Sequence, residues 1–162
     1  MPNQTRTTLI SATLLLLCAT AALAFTFPGS GLLKSKPPLL TPENGQLALP
    51  LDQISDGKAH HFRVLSDDGT MVTFFVLKSK DKVIRAAMDA CDVCYRAGLG
   101  YTQDGDFMVC GNCGQRFASN KINVIKGGCN PAPLERVIQG QNLVIAMADI
   151  NKNSWYSKYQ KQ

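Results

Sequence analysis

The hydrophobic positions of the chain form one long uninterrupted tract and a series of short runs. The tract covers residues 9–27, which carry no charged side chain and follow Arg6. A tract of this length can cross the hydrocarbon core of a bilayer as a helix. It also resembles a signal peptide, because Ala22-Leu23-Ala24 fits the small-residue pattern of a cleavage site. Residues 1–27 are therefore predicted to be a signal peptide or a membrane-anchor helix, with the rest of the chain outside.

Short apolar runs separated by turn residues follow this tract. Residues 28–45 are rich in Pro and Gly and predict a linker. Asp67-Asp68-Gly69 predicts a hairpin turn. Residues 83–90 predict either a strand or one helical turn, because the run is too short to decide. The predicted strands up to this point are residues 47–51, 60–65 and 71–77.

The last part of the chain predicts two further hairpins. One consists of residues 101–103 and 107–109 around Asp104-Gly105, and the other of residues 134–138 and 142–146. The pattern predicts a mainly β fold, with a small α+β fold as the alternative.

We expect a single compact domain at residues 46–150 with a cysteine-rich metal-binding hairpin, preceded by one N-terminal apolar helix. A polar tail at residues 151–162 follows the domain. Its aromatic residues Trp155, Tyr156 and Tyr159 either lie at a membrane interface or pack on the domain.

Six cysteines add candidate chemistry to this fold. Cys18 lies inside the apolar tract and is interpreted as one of its small apolar residues. The others form two Cys-x-x-Cys pairs, separated by 15 residues, and a Gly-Gly-Cys-Asn-Pro turn: Cys91, Cys94, Cys110, Cys113 and Cys129. Two pairs at this spacing are typical of a four-thiolate metal site, because the loop between them can fold back as a hairpin.

The five thiols leave several kinds of site open. Four thiolates suit Zn²⁺, mononuclear iron or an iron–sulfur centre, and spacing alone favours zinc because zinc ribbons commonly use it. Cys129 is surplus to a closed zinc site, whereas in an electron-transfer or metal-relay site it can complete a cluster or exchange ligands. Disulfides or a thiol redox pair are the main alternative, although an odd number of thiols disfavours a disulfide framework.

Charge and motifs argue against other classes of function. The formal net charge is +5 without a basic block, so nucleic-acid binding is not supported. The sequence shows no serine-hydrolase, P-loop or dinucleotide motif, so a hydrolase or a nucleotide-dependent enzyme is not supported. His60 and His61 point to opposite faces of a strand and are interpreted as ordinary strand histidines, with a metal ligand as the alternative.

Several sequence blocks together resemble a known family. They are Asp56-Gly-Lys-Ala-His60, Phe74-Phe-Val-Leu-Lys78, Ala87-Met-Asp-Ala-Cys-Asp-Val-Cys-Tyr95, Gly100-Tyr101, Cys110-Gly-Asn-Cys-Gly-Gln-Arg-Phe117 and Gly128-Cys-Asn-Pro-Ala-Pro-Leu134. Over about residues 46–150, this combination resembles the membrane iron–sulfur-containing FtrD-like proteins. Other members often carry several membrane helices before this domain, whereas one apolar segment precedes it here.

The resemblance implies a protein at the cell membrane whose domain lies on the extracytoplasmic, periplasmic side, or is secreted there if the N-terminal segment is cleaved. It implies an iron–sulfur cluster or iron held by the five cysteines, and electron transfer beside partner proteins of an iron-uptake or redox system. Zinc stays the alternative, in a structural zinc-ribbon-like module or a metal-delivery protein without redox activity. Zinc is kept because iron–sulfur clusters are built in the cytoplasm, and export of an unfolded chain does not carry a finished cluster across the membrane. Zinc or mononuclear iron can be loaded outside.

Overall fold

The computed structural model describes residues 36–160 of the chain. In this part, ten short strands and one helix confirm the mainly β fold class. The strands are β1 (Leu39–Leu40), β2 (Gln46–Pro50), β3 (His60–Leu65), β4 (Met71–Lys78), β5 (Ile84–Met88), β6 (Tyr101–Asp104), β7 (Phe107–Cys110), β8 (Arg116–Ala118), β9 (Val137–Gln139) and β10 (Asn142–Ala146). The helix is α1 (Met147–Asn153), and 3₁₀ turns cover Leu51–Gln53, Tyr95–Ala97, Ser119–Lys121 and Ser154–Ser157.

The predicted N-terminal apolar helix lies outside the described residues. Between residues 36 and 160, no helix has the length and apolar character needed to span a bilayer.

The strands form three sheets, with the orders β1-β3-β4-β5, β2-β10-β9 and β6-β7-β8. Two of the predicted hairpin turns are confirmed, since Asp67-Asp68-Gly69 connects β3 to β4 and Asp104-Gly105 connects β6 to β7. Gly69 and Gly105 adopt φ of 79° and 56° in these turns. Glycine suits both positions because a side chain rarely tolerates positive φ.

Strand β4 is buried on both faces and separates two hydrophobic cores. Side chains alternate along a strand, so Phe74 and Val76 point to one side while Phe75 and Leu77 point to the other. The main core draws residues from the two sheets that contain β4 and β10, from α1 and from the segments between and after these elements: Leu47, Leu49, Ile54, Val64, Val72, Phe74, Val76, Ala86, Met88, Ala90, Ala132, Leu134, Leu143, Ile145, Met147, Ile150 and Tyr156. The cysteine core comprises Phe75, Leu77, Ala87, Cys91, Cys94, Tyr101, Met108, Cys110 and Ile122.

Strands β1 and β9 differ from the sequence prediction, and β5 decides between its two alternatives. The run at residues 83–90 contains strand β5. The final hairpin forms, but its first strand, predicted at residues 134–138, is Val137–Gln139. Leu134 instead is fully buried beside β5 and donates its amide to the carbonyl of Ala86 at 3.1 Å. Residues 39–40, inside the predicted linker, form β1, which pairs with β3 in parallel.

The C-terminal segment folds onto the domain. Helix α1 and the turn Ser154–Ser157 bring Tyr156 into the main core, where it is 8% exposed. The ring centroids of Trp155 and Tyr159 lie 5.0 Å and 5.8 Å from that of Tyr95. These contacts agree with the expectation that the aromatic residues of the tail pack on the domain.

Candidate metal centre

Two tight turns present the paired cysteines. The first pair follows β5, and the amide of Tyr95 donates to the carbonyl of Cys91 at 3.1 Å. The second pair begins at the last residue of β7, and the amide of Gly114 donates to the carbonyl of Cys110 at 2.9 Å. The described structure contains five cysteines, all of them free: Cys91, Cys94, Cys110, Cys113 and Cys129.

Backbone hydrogen bonds beside β5 bring the segment that contains Cys129 next to the first cysteine pair. The amide of Met88 donates to the carbonyl of Ala132 at 2.8 Å, and the amide of Ala132 donates to the carbonyl of Ala90 at 2.9 Å. Tyr101 also holds the turn that contains Cys129, because its hydroxyl donates to the carbonyl of Cys129 at 2.6 Å. These contacts hold Cys129 next to the first pair.

The five sulfur atoms form two overlapping groups of three. The sulfurs of Cys91, Cys94 and Cys110, here called the inner triad, lie within 4.8 Å of one another. Those of Cys94, Cys113 and Cys129, the outer triad, do so as well. Two sulfurs bound to one ion by bonds of about 2.3 Å lie at most about 4.6 Å apart, so these separations are close to those of metal ligands. All five cysteines singled out in the sequence are thus brought together, and their ligation of a metal stays a prediction.

The two triads differ in exposure. Cys91, Cys110 and Cys94 are 0%, 3% and 8% exposed, and a cavity of about 10 Å³ lies against all three. In contrast, Cys113 is exposed and Cys129 is half-buried. An ion at the inner triad would therefore be shielded from water, and an ion at the outer triad would face it.

N–H groups point at three of the sulfurs. The amide of Cys94 donates to Sγ of Cys91 at 3.2 Å, and the Nδ2 group of Asn112 donates to Sγ of Cys94 at 3.3 Å. The backbone amide of Gln115 lowers the pKa of the Cys113 thiol by a hydrogen bond. Such bonds favour the thiolate, which is the form that binds metals.

Crowding of the thiols has the opposite effect. The Asn112 amide lowers the pKa of Cys94, but burial and the thiols of Cys110 and Cys113 raise it to about 12. Burial, with the Cys113 thiol beside it, raises the pKa of Cys129. A bound cation would reverse this balance, because positive charge stabilises each neighbouring thiolate. The donor set therefore fits a metal ion or an iron–sulfur cluster.

Close backbone contacts position the loop that follows the first pair. A Cβ atom at Gly98 would overlap the carbonyl oxygen of Tyr159, and one at Gly100 would overlap the carboxylate of Asp89. These glycines have φ of 65° and 63°. Asp89 also accepts the amide of Tyr101 at 2.7 Å. The loop is thus held between the C-terminal segment and the end of β5.

The two histidines of β3 turn to opposite sides, as predicted. Nε2 of His60 lies 2.7 Å from Oδ1 of Asp56, and Nε2 of His61 lies 3.6 Å from Oδ1 of Asp89. The His61 ring packs on Phe75 with centroids 5.6 Å apart. Among residues 36–160, neither histidine belongs to a group of potential metal ligands. The structure therefore agrees with their interpretation as strand histidines.

The sequence pattern does not identify the residues that support the sulfurs. Asn112 lies inside the second Cys-x-x-Cys turn, but its amide donates to Cys94 of the first pair, so the spacing within the turn does not predict the contact. Tyr101 and Asp89 act through long-range contacts, which no local pattern predicts. The same holds for Asp92, which accepts a hydrogen bond from the hydroxyl of Tyr156 in the C-terminal segment.

Comparison with known proteins adds one clear match. The sequence profile of the family described as membrane iron–sulfur-containing proteins, FtrD-like, matches residues 54–156, which confirms the resemblance seen in the sequence. No curated protein sequence is significantly similar to the chain. Among solved structures, the chain is similar to the quaternary ammonium Rieske monooxygenase CntA in complex with an inhibitor, with a TM-score of 0.42 and 13% identity. That match covers 62% of this chain and 30% of the monooxygenase chain.

Proposed function

We propose, because the chain belongs to the family of FtrD-like membrane iron–sulfur-containing proteins, that its domain carries electrons through a cysteine-bound iron–sulfur or iron centre. The electrons would serve an iron-uptake system. The protein would act as an electron carrier rather than as an enzyme. The proposed ligands are Cys91, Cys94, Cys110, Cys113 and Cys129.

The observation that carries this proposal is the convergence of five free thiols from three chain segments. A closed structural zinc site uses four ligands, so one of the five is surplus to it. Thiolates are also the usual ligands of iron–sulfur clusters.

The surroundings of the sulfurs suit electron transfer. When bound, an iron–sulfur centre supplies reversible one-electron chemistry, and its reduction potential depends on hydrogen bonds to sulfur and on solvent exposure. Asn112 and the Cys94 amide donate such hydrogen bonds. Phe75 and Tyr101 pack with the inner cysteines and exclude water from that side. The exposed Cys113 leaves one edge open to a partner protein.

A membrane location is proposed from the family and from the N-terminal sequence. The family description names membrane proteins, and the apolar tract at residues 9–27 can serve as an anchor or an export signal. We place the domain on the extracytoplasmic side, either tethered or released there by cleavage. Its proposed partners are proteins of an iron-transport or redox system.

Metal analysis of the full chain purified without oxygen tests this function. We expect iron, with thiolate-to-iron absorption that is bleached by a reductant and restored by an oxidant. Cys91→Ser should abolish the colour, whereas Cys18→Ser, the matched control outside the described residues, should retain it. A colourless protein with stoichiometric zinc would contradict the proposal.

A structural zinc centre is the second candidate. It is favoured by the tight turn of the second pair, where Gly114 adopts φ of 70°, as zinc-binding hairpins require. In that case Cys129→Ser should keep its metal. Chelation should then loosen the hairpin without a redox signal.

A further inference from the structure

The two cysteine pairs do not form the single four-sulfur group that their spacing predicts. Within the described residues, the sulfurs that lie within 4.8 Å of one another form the inner and the outer triad instead. Cys94 is the residue that both triads share. Cys113 belongs to the group of Cys94 and Cys129, although its thiol also forms a hydrogen bond with that of Cys110.

A single metal ion fits this arrangement poorly. Two sulfurs on one tetrahedral ion, with bonds of about 2.3 Å, lie about 3.8 Å apart, so one ion takes its ligands from a compact group. An ion in the inner triad leaves Cys113 and Cys129 without metal. An ion in the outer triad leaves Cys91 and Cys110 without metal. In either case, two thiols remain unligated beside the bound ion.

We infer that the five cysteines form a two-metal centre in which the Cys94 thiolate bridges an inner ion and an outer ion. The inner ion is held by the inner triad and the outer ion by the outer triad. The ligand class is a pair of thiophilic divalent ions, and inorganic sulfide can complete the coordination in an iron–sulfur form. The inference rests on the proposed function and specifies how many metal ions its centre contains.

Charge is compatible with two ions. Two divalent ions on five thiolates leave one negative charge uncompensated, the same as one ion on the three thiolates of a single triad. Uncompensated like charges are unfavourable in a partly buried site, where water screens them weakly. The Asn112 amide, 3.3 Å from Sγ of Cys94, adds a donor at the shared sulfur.

The two ions should also exchange at different rates. The inner triad is at most 8% exposed, whereas Cys113 of the outer triad is open to solvent. A chelator therefore reaches the outer ion first. We expect its removal to be biphasic, with one ion lost quickly and one slowly.

Cobalt titration of the full-length chain tests the bridge. Protein carrying Cys18→Ser, which removes the sixth thiol, is reduced in detergent, freed of metal and titrated with Co²⁺ without oxygen. We expect thiolate-to-cobalt absorption to saturate at two ions per chain. Because a bridging thiolate couples the spins of both ions, the two-ion form should lose most of the EPR signal that two isolated Co²⁺ ions would give.

Serine variants in the same background locate the bridge. Cys113→Ser and Cys129→Ser change residues on the solvent side, so the fold should survive. Each variant should keep one ion per chain, in the inner triad, with the full EPR signal of an isolated ion. Cys94→Ser should remove the spin coupling, whatever number of ions it binds.

Three results would overturn the inference. They are saturation of the parent protein at one ion, two bound ions with an undiminished EPR signal, and a Cys129→Ser variant that still binds two coupled ions. The proposed function is judged separately, from the iron and sulfide content of the protein as purified. A redox-active iron centre can therefore stand even if the Cys94 bridge fails.

Discussion

The two cores on either side of β4 differ in the side chains that fill them. The main core contains only apolar and aromatic residues, such as Phe74 and Ile145. In the cysteine core, three of the nine residues are Cys91, Cys94 and Cys110. A thiol side chain is small, so it buries less apolar surface than a leucine or phenylalanine does. The cysteine core therefore has less hydrophobic stabilisation for its size.

This difference predicts that the main core is stable through packing alone, whereas the cysteine core gains stability from a bound metal. The three-stranded sheet β6-β7-β8 joins β4 through Phe75 and Leu77, which meet Tyr101 and Met108. A metal that bound the assembled cysteines and not the separated ones would add its binding free energy to the stability of this core. The main core should not require it.

Metal removal should have the largest effect and should act on one core only. Apparent binding free energies of structural zinc in zinc-finger peptides are about 10–16 kcal/mol, more than any one side chain contributes. After chelation, we expect faster hydrogen–deuterium exchange in β6, β7 and β8, with little change in β2 and β10. Mass spectrometry of the exchanged peptides measures this. Equal loss of protection in both regions would show that the two cores are not separate.

Phe74→Ala should have the next largest effect, and it should be independent of metal. Phe74 is fully buried in the main core, so truncation should lower the free energy of unfolding by about 3–5 kcal/mol. Denaturant titration with and without metal measures the change. A loss that vanishes on metal removal would contradict the assignment of the main core.

Phe75→Ala is the matched control on the opposite face of the same strand. Phe75 is also fully buried, and its ring lies 5.6 Å from His61 and 6.2 Å from Tyr101. In the metal-loaded protein the loss of stability should be similar, about 3–5 kcal/mol, with weaker metal binding. In metal-free protein it should be smaller, because the cysteine core is then already loosened.

Elements that depend on neighbouring residues could be predicted from the sequence, whereas elements that depend on distant contacts could not. Local patterns were sufficient for the β3–β4 and β6–β7 hairpins, because alternation and an Asp-Gly turn are properties of adjacent residues. They did not indicate β1, which forms only because Leu39 and Leu40 pair with Arg63 and Val64 of β3, 24 positions further along the chain. Helix α1 was not predicted either, since Met147 and Ile150 are fixed by burial in the main core.

For the site, the sequence identified every cysteine but not their grouping. Spacing within a pair is local, so the two turns were predictable. The position of Cys129 relative to Cys94 depends on the pairing of Ala132 with Ala90 and on the Tyr101 hydroxyl. The position of the turn that carries Cys113 depends on the hydrogen bond from Asn112 to Cys94. These contacts join segments far apart in the chain, and they exist only in the folded domain.

Gly98→Ala should have a smaller effect, located at the junction of the cysteine loop with the C-terminal segment. The new Cβ would have to displace the backbone of Tyr159. Gly105→Ala is the control, since Gly105 also has positive φ but open space around it, and should cost only about 1–2 kcal/mol. Thermal unfolding of the metal-loaded protein should show a larger loss for Gly98→Ala. Equal losses of stability in the two variants would mean that the C-terminal segment moves away from residue 98 at no measurable cost.

Asp68→Asn should have the smallest effect, on the main-core side and only in acid. The hydroxyl of Ser66 donates to Asp68 at 2.6 Å and the amide of Thr70 at 3.0 Å, and these bonds lower the pKa of its carboxyl. A carboxyl with a lowered pKa stabilises the fold above its unfolded-state pKa of about 3.9, and this contribution is lost as the pH falls below it. Urea titrations of metal-free protein should therefore show a shallower acid decline for Asp68→Asn than for the parent. Identical curves for the two proteins would remove the Asp68 contacts as a source of main-core stability.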